Sequence, residues 1–251
     1  MKQAIPLAAA WVCYNLASDI FDDLQDKDDK QRPWNQWKPG RAMQVGVGLI
    51  AVAQTCLAQL NPAAQSDILD ILGRTMALAA LGQNIATRES LDEYFKHTLA
   101  KSGLVFAAVA YAGARSQTDE PSLLQAMYDF GLALGMLIQI RDDCRDLLPE
   151  QAASDLARAT YTLPVLYGLS QQEHRLRPRL VTLLDTANDD HTLEIGRILT
   201  DMGALAYSLA VAKVYEQKAL SALSVFPVER TVHLITYVSH FLAFQTVAPG
   251  H

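Results

Sequence analysis

Long apolar stretches, separated by short segments rich in proline, glycine and charge, organise the chain from end to end. Alanine and leucine dominate these stretches, and runs of β-branched residues are short, which favours helix over strand. Several prolines fall at the first turn of a stretch, where a helix tolerates them. The pattern predicts helices over residues 5–30, 41–60, 61–81, 103–114, 122–147, 192–223 and 228–246, with others beginning at Ser90, in a capping-box pattern, and near Pro164.

Polar segments between the stretches mark the helix ends. Residues 32–40 form a loop interrupted by two prolines, and residues 175–178 and 187–190 are polar connections. Residues 103–114 are almost wholly apolar, so we expect that helix to be buried on all sides. Because no repeat or linker divides the 251 residues, we predict a single all-α domain over residues 1–251.

Two aspartate clusters stand out because each comes where an apolar helix ends. Both are spelled Asp-Asp-x-x-Asp, so their carboxylates share one helix face. Like charges repel at that spacing, and anions near a helix C-terminus oppose the helix dipole. Because the same costly pattern occurs twice, we infer that a bound cation offsets it. The candidate metal ligands are Asp22, Asp23 and Asp26 in the first cluster and Asp142, Asp143 and Asp146 in the second.

Converging carboxylates without imidazole neighbours suit a hard cation such as Mg²⁺, which shares its shell with water and substrate phosphate. Such ions, held between the two clusters, would stabilise a diphosphate as a leaving group. We expect apolar walls below them from Leu16, Val105, Phe106, Leu132 and Leu134. The pattern therefore predicts a substrate with a diphosphate head and a hydrocarbon tail. A solvated helix end is the simpler interpretation of either cluster alone.

Composition narrows the classes of protein. A net charge of −6 argues against a general nucleic-acid binder. Cys13, Cys56 and Cys144 form neither a disulfide framework nor a zinc motif, and reduced thiols suit a cytoplasmic protein. No uninterrupted apolar run reaches the roughly 18 residues of a membrane span, and Pro6 and Asp19 interrupt any signal-peptide pattern. No histidine follows a glutamate by three residues, as a di-iron bundle would require.

In these residues the chain resembles the trans-isoprenyl diphosphate synthases, the family that includes the farnesyl and geranylgeranyl diphosphate synthases. The two aspartate clusters match the two aspartate-rich motifs of that family, and the other landmarks follow in the same order. The further matching segments are Gly82-Gln83, Tyr94, Lys101-Ser102, Gln139 ahead of the second motif, Ser154-Asp155-Leu156 and Thr162-Leu163-Pro164. The resemblance implies an isoprenoid synthase-type helical bundle around a central apolar cavity.

The resemblance also implies a reaction. With Mg²⁺ held by the two motifs, an allylic prenyl diphosphate would ionise to an allylic cation and diphosphate. Isopentenyl diphosphate would attack the cation, and the released diphosphate would take the proton that is lost to give a polyprenyl diphosphate. Lys101 and Arg32 would bind diphosphate, while Ser102 and Gln139 would help to stabilise the cation. Members of the family pack as dimers, so we expect a homodimer. Trp34 and Trp37, in the loop after the first motif, would form an interface or, as the alternative, cap the site.

Four departures from the family affect basic residues of the diphosphate site. A Gly-Lys-x-x-Arg-Pro segment, which the family carries well before its first motif, is absent from the residues that precede Asp22. The family's Arg-Arg pair is Gln31-Arg32 here, and two of its lysines are replaced by Gln151 and Thr160. The basic residues that could compensate are Arg32, Lys38, Arg41, Arg141 and Arg158.

These departures leave alternatives open. A terpene cyclase or a head-to-head prenyl synthase would need the metals but no isopentenyl diphosphate, and Asp19-x-x-Asp22-Asp23 also resembles the head-to-head motif. A prenyltransferase that modifies peptides shares the Asp-Asp-x-x-Asp motif but uses a peptide aromatic as acceptor. A non-catalytic subunit is a further alternative. A chain that starts at an internal methionine would explain the missing segment.

The residues before the first motif predict the depth of the cavity. In the family, residues one and two turns before this motif form the cavity floor. Here Ser18 and Ala17 are small, and Tyr14 and Trp11 lie deeper on the same face. Tyr14 would lie about 12 Å below the metals, because a helix rises 1.5 Å per residue. We predict that Tyr14, Ala17 and Ser18 contact the substrate and that the product has geranylgeranyl size.

Overall fold

A computed structural model describes residues 3–26, 32–83, 90–145, 147, 161–186 and 191–241. These residues form eleven α-helices: α1 Ala4–Asp26, α2 Pro39–Leu57, α3 Pro62–Gln83, α4 Leu91–Thr98, α5 Leu104–Arg115, α6 Pro121–Arg145, α7 Leu163–Ser170, α8 Arg177–Asp185, α9 Thr192–Asp201, α10 Ala204–Ala222 and α11 Val228–Phe241. Short 3₁₀ turns cover Pro33–Gln36 and Leu223–Val225, and one π-helical turn covers Leu99–Gly103. No strand occurs within these ranges, and the predicted all-α class is confirmed.

Helix α6 is central to the fold and packs against both α5 and α10. Its residues Phe130, Leu137 and Ile140 are almost fully buried, together with Ala212 and Ala219 of α10. Burying one Leu, Ile or Phe side chain stabilises a fold by about 1.5–3 kcal/mol. This apolar cluster therefore fixes the position of α6, which carries the second aspartate cluster at its C-terminal end.

Two glycines let α6 approach the preceding elements closely. A Cβ atom added at Gly131 would collide with the carbonyl oxygen of Phe106, and one at Gly135 would lie 2.6 Å from that of Ser102. Only a residue without a side chain permits such backbone contacts. The close approach sets the C-terminal half of α6 against the Leu99–Gly103 turn, which carries Lys101 and Ser102.

The N-terminal helices form a second apolar cluster. Helix α1 packs along α2, and α3 packs against α5. Tyr14 of α1, Leu57 of α2, Ile68 of α3 and Ala108 of α5 are buried together. A third cluster joins residues of α7, α8 and α9. The first aspartate cluster thus ends a helix of one apolar cluster, and the second ends a helix of another.

Helix starts agree with the sequence pattern where caps are present. The Ser90 hydroxyl accepts a hydrogen bond from the backbone N–H of Glu93 at 3.3 Å, which confirms the predicted capping box. The Asn61 side chain accepts one from the backbone N–H of Ala63 at 3.1 Å, just before α3. Pro164 lies in the first turn of α7, as predicted, whereas Pro39, which was predicted to lie in the loop before α2, is the first residue of that helix.

Three details of the predicted helices are wrong. The single helix predicted over 192–223 is broken at Gly203, whose φ of +79° favours glycine, so α9 and α10 are separate helices. Helix α8 begins inside the polar connection predicted at 175–178. Helix α5 is only half-buried on most faces, because part of its surface faces a cavity rather than other helices.

Two described helices, Ala4–Gln25 and Pro121–Arg145, are long and apolar enough to cross a membrane by length and composition. Thr192–Asp201 and Ala204–Val225 would add a third if this bent pair is one span. In the fold, 22% of the first apolar window and 44% of the second are buried inside the protein. The expected absence of a membrane span is therefore not confirmed.

Candidate active site

The first aspartate cluster meets a lysine from the opposite wall. Asp22 lies in the last turns of α1, and its Oδ2 is 3.4 Å from Nζ of Lys101. Both side chains are about one third exposed, so they lie at an opening of the protein rather than in its core. The structure thus brings together a predicted metal ligand and the predicted diphosphate-binding lysine.

Asp23 turns toward the 3₁₀ turn Pro33–Gln36. Its Oδ2 accepts hydrogen bonds from the indole N–H of Trp34 at 2.6 Å and from the side-chain amide of Asn35 at 3.3 Å. Nε of Arg32 lies 3.8 Å from the same oxygen, and Nη1 of Arg32 donates to Asp19 Oδ2 at 2.9 Å. The side chain of Asp23 is only 11% exposed. Oδ2 of Asp23 is therefore the common contact of Arg32, Trp34 and Asn35, which follow the first cluster.

Lys101 and Ser102 lie in the π-helical turn between α4 and α5. Such single π turns inside helices occur often at functional sites, because they re-aim side chains. The buried Ser102 hydroxyl donates to the carbonyl oxygen of Gly135 on α6 at 2.9 Å. This bond and the close backbone approach at Gly135 fix the turn against the helix that carries Gln139.

The second aspartate cluster is built into the core. Asp143 is 4% exposed and accepts hydrogen bonds from Nε2 of Gln139 at 3.0 Å and from the backbone N–H of Leu163 at 2.9 Å. Leu163 is the first residue of α7, where backbone N–H groups and the helix dipole favour an anion. Asp143 therefore joins the end of α6 to the start of α7.

Burial near this second cluster shifts two pKa values. Burial raises the pKa of the Tyr94 phenol well above its ordinary value, and the negative charge of Asp143 raises it further. Burial also raises the pKa of Asp142, although Arg141 and Arg145 act in the opposite direction. The Asp142 carboxylate lies 3.9 Å from Nη1 of Arg145. A carboxylate whose ionisation is opposed by its surroundings is one that a bound cation would stabilise.

A cavity of about 490 Å³ lies between α1, α3, α5 and the π turn. Polar side chains line its mouth, including Asp19, Asp22, Lys101, Ser102 and Gln139. The remaining walls are mostly apolar and are formed by Trp11, Tyr14, Ala17, Phe21, Ile50, Met76, Ala79, Ala80, Val105 and Phe106. A charged mouth above an apolar chamber is the arrangement predicted from the sequence.

The predicted floor residues fall where expected. Tyr14, Ala17 and Ser18 of α1 all line the cavity, and Trp11 lies below them with its ring edge-to-face with Phe106 at 5.8 Å. Burial raises the pKa of Tyr14. Beyond Tyr14 and Trp11 lies only a small void, also lined by Leu72 and Val109 of the neighbouring helices. The assignment of the product length stays a prediction.

Other predicted site residues are not brought to the cavity. Val105 and Phe106 are wall residues as predicted, whereas Leu16, Leu132 and Leu134 are not among those that line it. Leu134 packs instead against the apolar cluster around α6 and α10. Among the described residues that line the cavity, Gln139 is the one that belongs to α6.

Several predicted positions lie outside what the structure describes. These are Gln31, Asp146, Gln151, Ser154, Asp155, Arg158 and Thr160, together with the side chains of Asp26, Gly82 and Gln83. Among the described residues, no three carboxylate, imidazole or thiol groups converge closely enough to hold a metal ion. The six-aspartate metal site therefore stays a prediction, with Asp22, Asp23, Asp142 and Asp143 in place at the two helix ends.

Sequence reasoning missed the residues that support Asp23. Trp34 was expected at an interface, but its indole contacts the first cluster, and Asn35 was not singled out at all. The signal available was their position in a short, proline-initiated loop directly after an acidic helix end.

Asn15 and Met76 were also missed as cavity residues, because helical periodicity does not tell which face of a helix borders a cavity.

The comparisons with known proteins agree with this geometry. The polyprenyl synthetase family model matches residues 1–202. The heptaprenyl diphosphate synthase component 2 of Bacillus subtilis is 26% identical over 241 residues, covering 89% of this chain and 66% of that protein. The short chain isoprenyl diphosphate synthase of Methanothermobacter thermautotrophicus is 25% identical over 256 residues, covering 95% and 79%. The chain thus spans about two thirds to four fifths of these relatives.

A solved structure gives the same fold. The crystal structure of geranylgeranyl pyrophosphate synthase from Corynebacterium glutamicum, complexed with calcium and isoprenyl diphosphate, matches with a TM-score of 0.78 at 25% identity, covering 95% of this chain and 77% of that chain. The predicted class of enzyme, a trans-prenyltransferase, is confirmed by these relatives, and the alternatives are not favoured. Because the family model covers most of the chain, this protein belongs to the polyprenyl synthetase family.

Proposed function

We propose that this protein is a Mg²⁺-dependent prenyltransferase that ionises an allylic prenyl diphosphate and elongates it with isopentenyl diphosphate. One observation supports this most strongly: Asp22, Lys101, Ser102 and Gln139 line the mouth of a single cavity whose remaining walls are mostly apolar. The mouth suits a diphosphate, and the chamber suits a hydrocarbon chain. The localisation consistent with its three free thiols is the cytoplasm.

The donor chemistry of the mouth fits a hard divalent cation. The described ligand candidates are carboxylates, and Mg²⁺ prefers oxygen ligands shared with substrate phosphate. The residues that would hold the ions are Asp22, Asp23, Asp26, Asp142, Asp143 and Asp146. When bound, Mg²⁺ neutralises charge on the diphosphate and so favours its departure. The related Corynebacterium enzyme was crystallised with calcium, another oxygen-seeking cation.

Lys101 and Gln139 have separate tasks in this proposal. The Lys101 ammonium, held near Asp22, supplies a positive charge at the mouth for the allylic diphosphate. The Gln139 amide donates its N–H to Asp143, so its carbonyl oxygen is the end that can face a positive charge in the cavity. Preorganised dipoles of this kind stabilise a developing charge without reorganising during the reaction.

Ser102 and the apolar walls protect the cation. The Ser102 hydrogen is directed to the Gly135 carbonyl, which leaves the oxygen lone pairs as the group that can face the cavity. Val105, Phe106 and Met76 exclude water from the chamber below. Exclusion of water prevents hydrolysis of a reactive intermediate, so that isopentenyl diphosphate is the acceptor.

The homodimer is part of this proposal. Helix α2 carries one charged residue, Arg41, and exposes Met43, Val45, Val47 and Val52 along its surface. Four exposed apolar side chains on one helix favour a protein interface. We expect a dimeric mass in solution and a monomeric mass for Val47→Glu, measured by light scattering during gel filtration. A monomeric wild-type protein would contradict the dimer.

The experiment that tests the reaction is a product assay. Purified protein is incubated with Mg²⁺ and geranyl or farnesyl diphosphate, with and without isopentenyl diphosphate, and products are identified by mass spectrometry. We expect a longer prenyl diphosphate only when isopentenyl diphosphate and Mg²⁺ are both present. A hydrocarbon or prenyl alcohol as the main product in both arms would contradict chain elongation, and so would the absence of any product.

A further inference from the structure

The turn after the first aspartate cluster has a construction that the reaction alone does not explain. Arg32, Trp34 and Asn35 are consecutive or nearly so, and all three approach one atom, Oδ2 of Asp23. Pro33 begins the turn and fixes its backbone angle. The Asp23 carboxylate is therefore the shared contact of the turn with α1, and Arg32 adds a second contact through Asp19.

The contact between Trp34 and Asp23 is the shortest of the three. The indole nitrogen of Trp34 can only donate a hydrogen bond, and it lies 2.6 Å from the Asp23 carboxylate oxygen. Hydrogen bonds to an ionised acceptor are shorter and stronger than neutral ones, and they strengthen further where water is excluded. The low exposure of Asp23 provides that exclusion, so the orientation of the indole ring is fixed.

Arg32 contacts this ring and also Asp19, which lines the cavity, although Arg32 itself is not among the described residues that line it. Its guanidinium carbon is 5.3 Å from the centroid of the Trp34 ring, a distance at which a cation is attracted to the ring. Its Nη1 donates to Asp19 at 2.9 Å, and Asp19 lines the mouth of the cavity. Arg32 thus contacts the ring on one side and a residue of the mouth, Asp19, on the other.

From these contacts we propose that Trp34 is a positioning residue: anchored by Asp23, it holds the Arg32 guanidinium at the mouth in the orientation that binds a diphosphate. An arginine recognises phosphate oxygens through a rigid planar fork, so its orientation decides its affinity. Trp34 supplies a donor to Asp23 without adding charge, and the guanidinium keeps its ion pair with Asp19. The inference rests on the proposed function, because a diphosphate is taken as the ligand.

A double-mutant cycle tests whether Trp34 acts through Arg32. Binding of inorganic diphosphate in the presence of Mg²⁺ is measured by calorimetry for the wild type, Trp34→Phe, Arg32→Gln and the double variant. Trp34→Phe keeps a ring beside Arg32 but removes the N–H that fixes it to Asp23, so we expect binding to weaken about fivefold, the scale of one lost hydrogen bond. The double variant should bind no more weakly than Arg32→Gln alone. Unchanged binding by Trp34→Phe, or losses that multiply in the double variant, would overturn the proposal.

The chain offers a matched control. Trp37 lies in the same loop, and its ring stacks on the Arg41 guanidinium at 4.9 Å instead of contacting Asp23. Trp37→Phe should therefore leave the affinity for inorganic diphosphate unchanged. A loss equal to that of Trp34→Phe would show a general effect of loop packing and would count against the proposal. Asn35→Ala, which removes the second donor to Asp23, should give a smaller loss than Trp34→Phe.

A second readout does not depend on any ligand. The chain has three tryptophans, so a nitrogen–proton correlation spectrum shows three indole signals, and Trp34→Phe identifies one of them. We expect Asp23→Asn to shift that signal strongly, because the charge on its acceptor is removed. An unshifted signal would show that the contact is absent in solution. If the product assay failed while the cycle and this shift held, the proposed reaction would be wrong and the positioning role would stand.

Discussion

The two aspartate clusters share one spelling but differ in what holds them. Asp23 is held by side chains of a surface turn, chiefly Trp34 and Asn35. Asp143 is held by Gln139 and by the backbone N–H that begins α7. The second residue of each pair is thus restrained, while Asp22 and Asp142 are the more exposed partners.

This difference shows that equal motifs do not imply equal roles in the fold. The Asp23 partners belong to one short turn, which can open to water if the carboxylate is lost. The Asp143 partners belong to the core, where an unpaired donor is costly. The first cluster therefore depends on a loop, and the second is part of the packing between α6 and α7.

We expect the two clusters to differ most in stability when the second carboxylate of each pair is removed. Asp143→Ala leaves two donors without their acceptor at a buried position, so we expect a loss of about 3 kcal/mol in the free energy of unfolding. Asp23→Ala should cost about 1 kcal/mol, because water can reach the turn. Urea denaturation of the metal-free protein measures both. Equal losses for the two variants would contradict the comparison.

Asp22→Asn should reduce turnover rather than stability. The side chain is partly exposed and faces Lys101, so the unfolding free energy should change little. Loss of one electrostatic group that stabilises the transition state lowers kcat by about 100-fold or more. Steady-state kinetics measures the loss, and Asp129→Asn at the exposed N-terminal half of α6 serves as the control. Turnover within a few-fold of the wild type would refute the role of Asp22.

Tyr14→Ala tests a second role that we assign to α1, because this helix carries the cavity floor as well as the first cluster. Tyr14 lines the lower cavity and borders the small void behind it, so its removal joins the two spaces. We expect the main product to lengthen by at least one isoprene unit, as measured by mass spectrometry. Ser18→Ala, higher in the cavity, is the control. An unchanged product length would refute the floor assignment.

The smallest effect is a pH-dependent one at Asp142. The Asp142 side chain is 54% exposed, but the protein around it still removes part of its water and so raises the pKa of this carboxyl. The native state therefore binds the proton more tightly than the unfolded chain. The stabilisation that comes from protonated Asp142 is fully present below the pKa of this carboxyl in the unfolded chain. It is lost as the pH rises through the higher pKa of the folded protein. Asp142→Asn should therefore raise the melting temperature slightly at neutral pH in metal-free protein and have no such effect in acid. A lower melting temperature at neutral pH would contradict this.

Much of the fold followed from local patterns. The helices begin where Ser90 and Asn61 can cap them, and the aspartate clusters fall at the ends of α1 and α6 as predicted. These features depend on residues within one or two turns of each other. The break at Gly203 was not predicted, because the helical spacing of apolar residues continues on both sides of it. That spacing does not indicate that one glycine adopts a positive φ.

The site was predicted less completely, because its geometry depends on distant contacts. Asp22 was assigned from its cluster and Lys101 by resemblance. Their contact joins the end of α1 to the Leu99–Gly103 turn, about eighty residues later, which local patterns do not predict. Leu134 was expected in the cavity, but it is partly buried against the apolar cluster around α6 and α10. The contact between Trp34 and Asp23 joins a loop to a helix end, and helical periodicity carries no information on it.

The central claim is that two clusters from different helices form one metal–diphosphate site. The most direct test is calorimetric titration of inorganic diphosphate, with and without Mg²⁺, into the wild type, Asp22→Asn and Asp142→Asn. We predict Mg²⁺-dependent binding by the wild type and at least about tenfold weaker binding by each variant, the scale of one lost charge-assisted contact. Wild-type affinity in either variant would contradict the claim, because it would show that one cluster suffices.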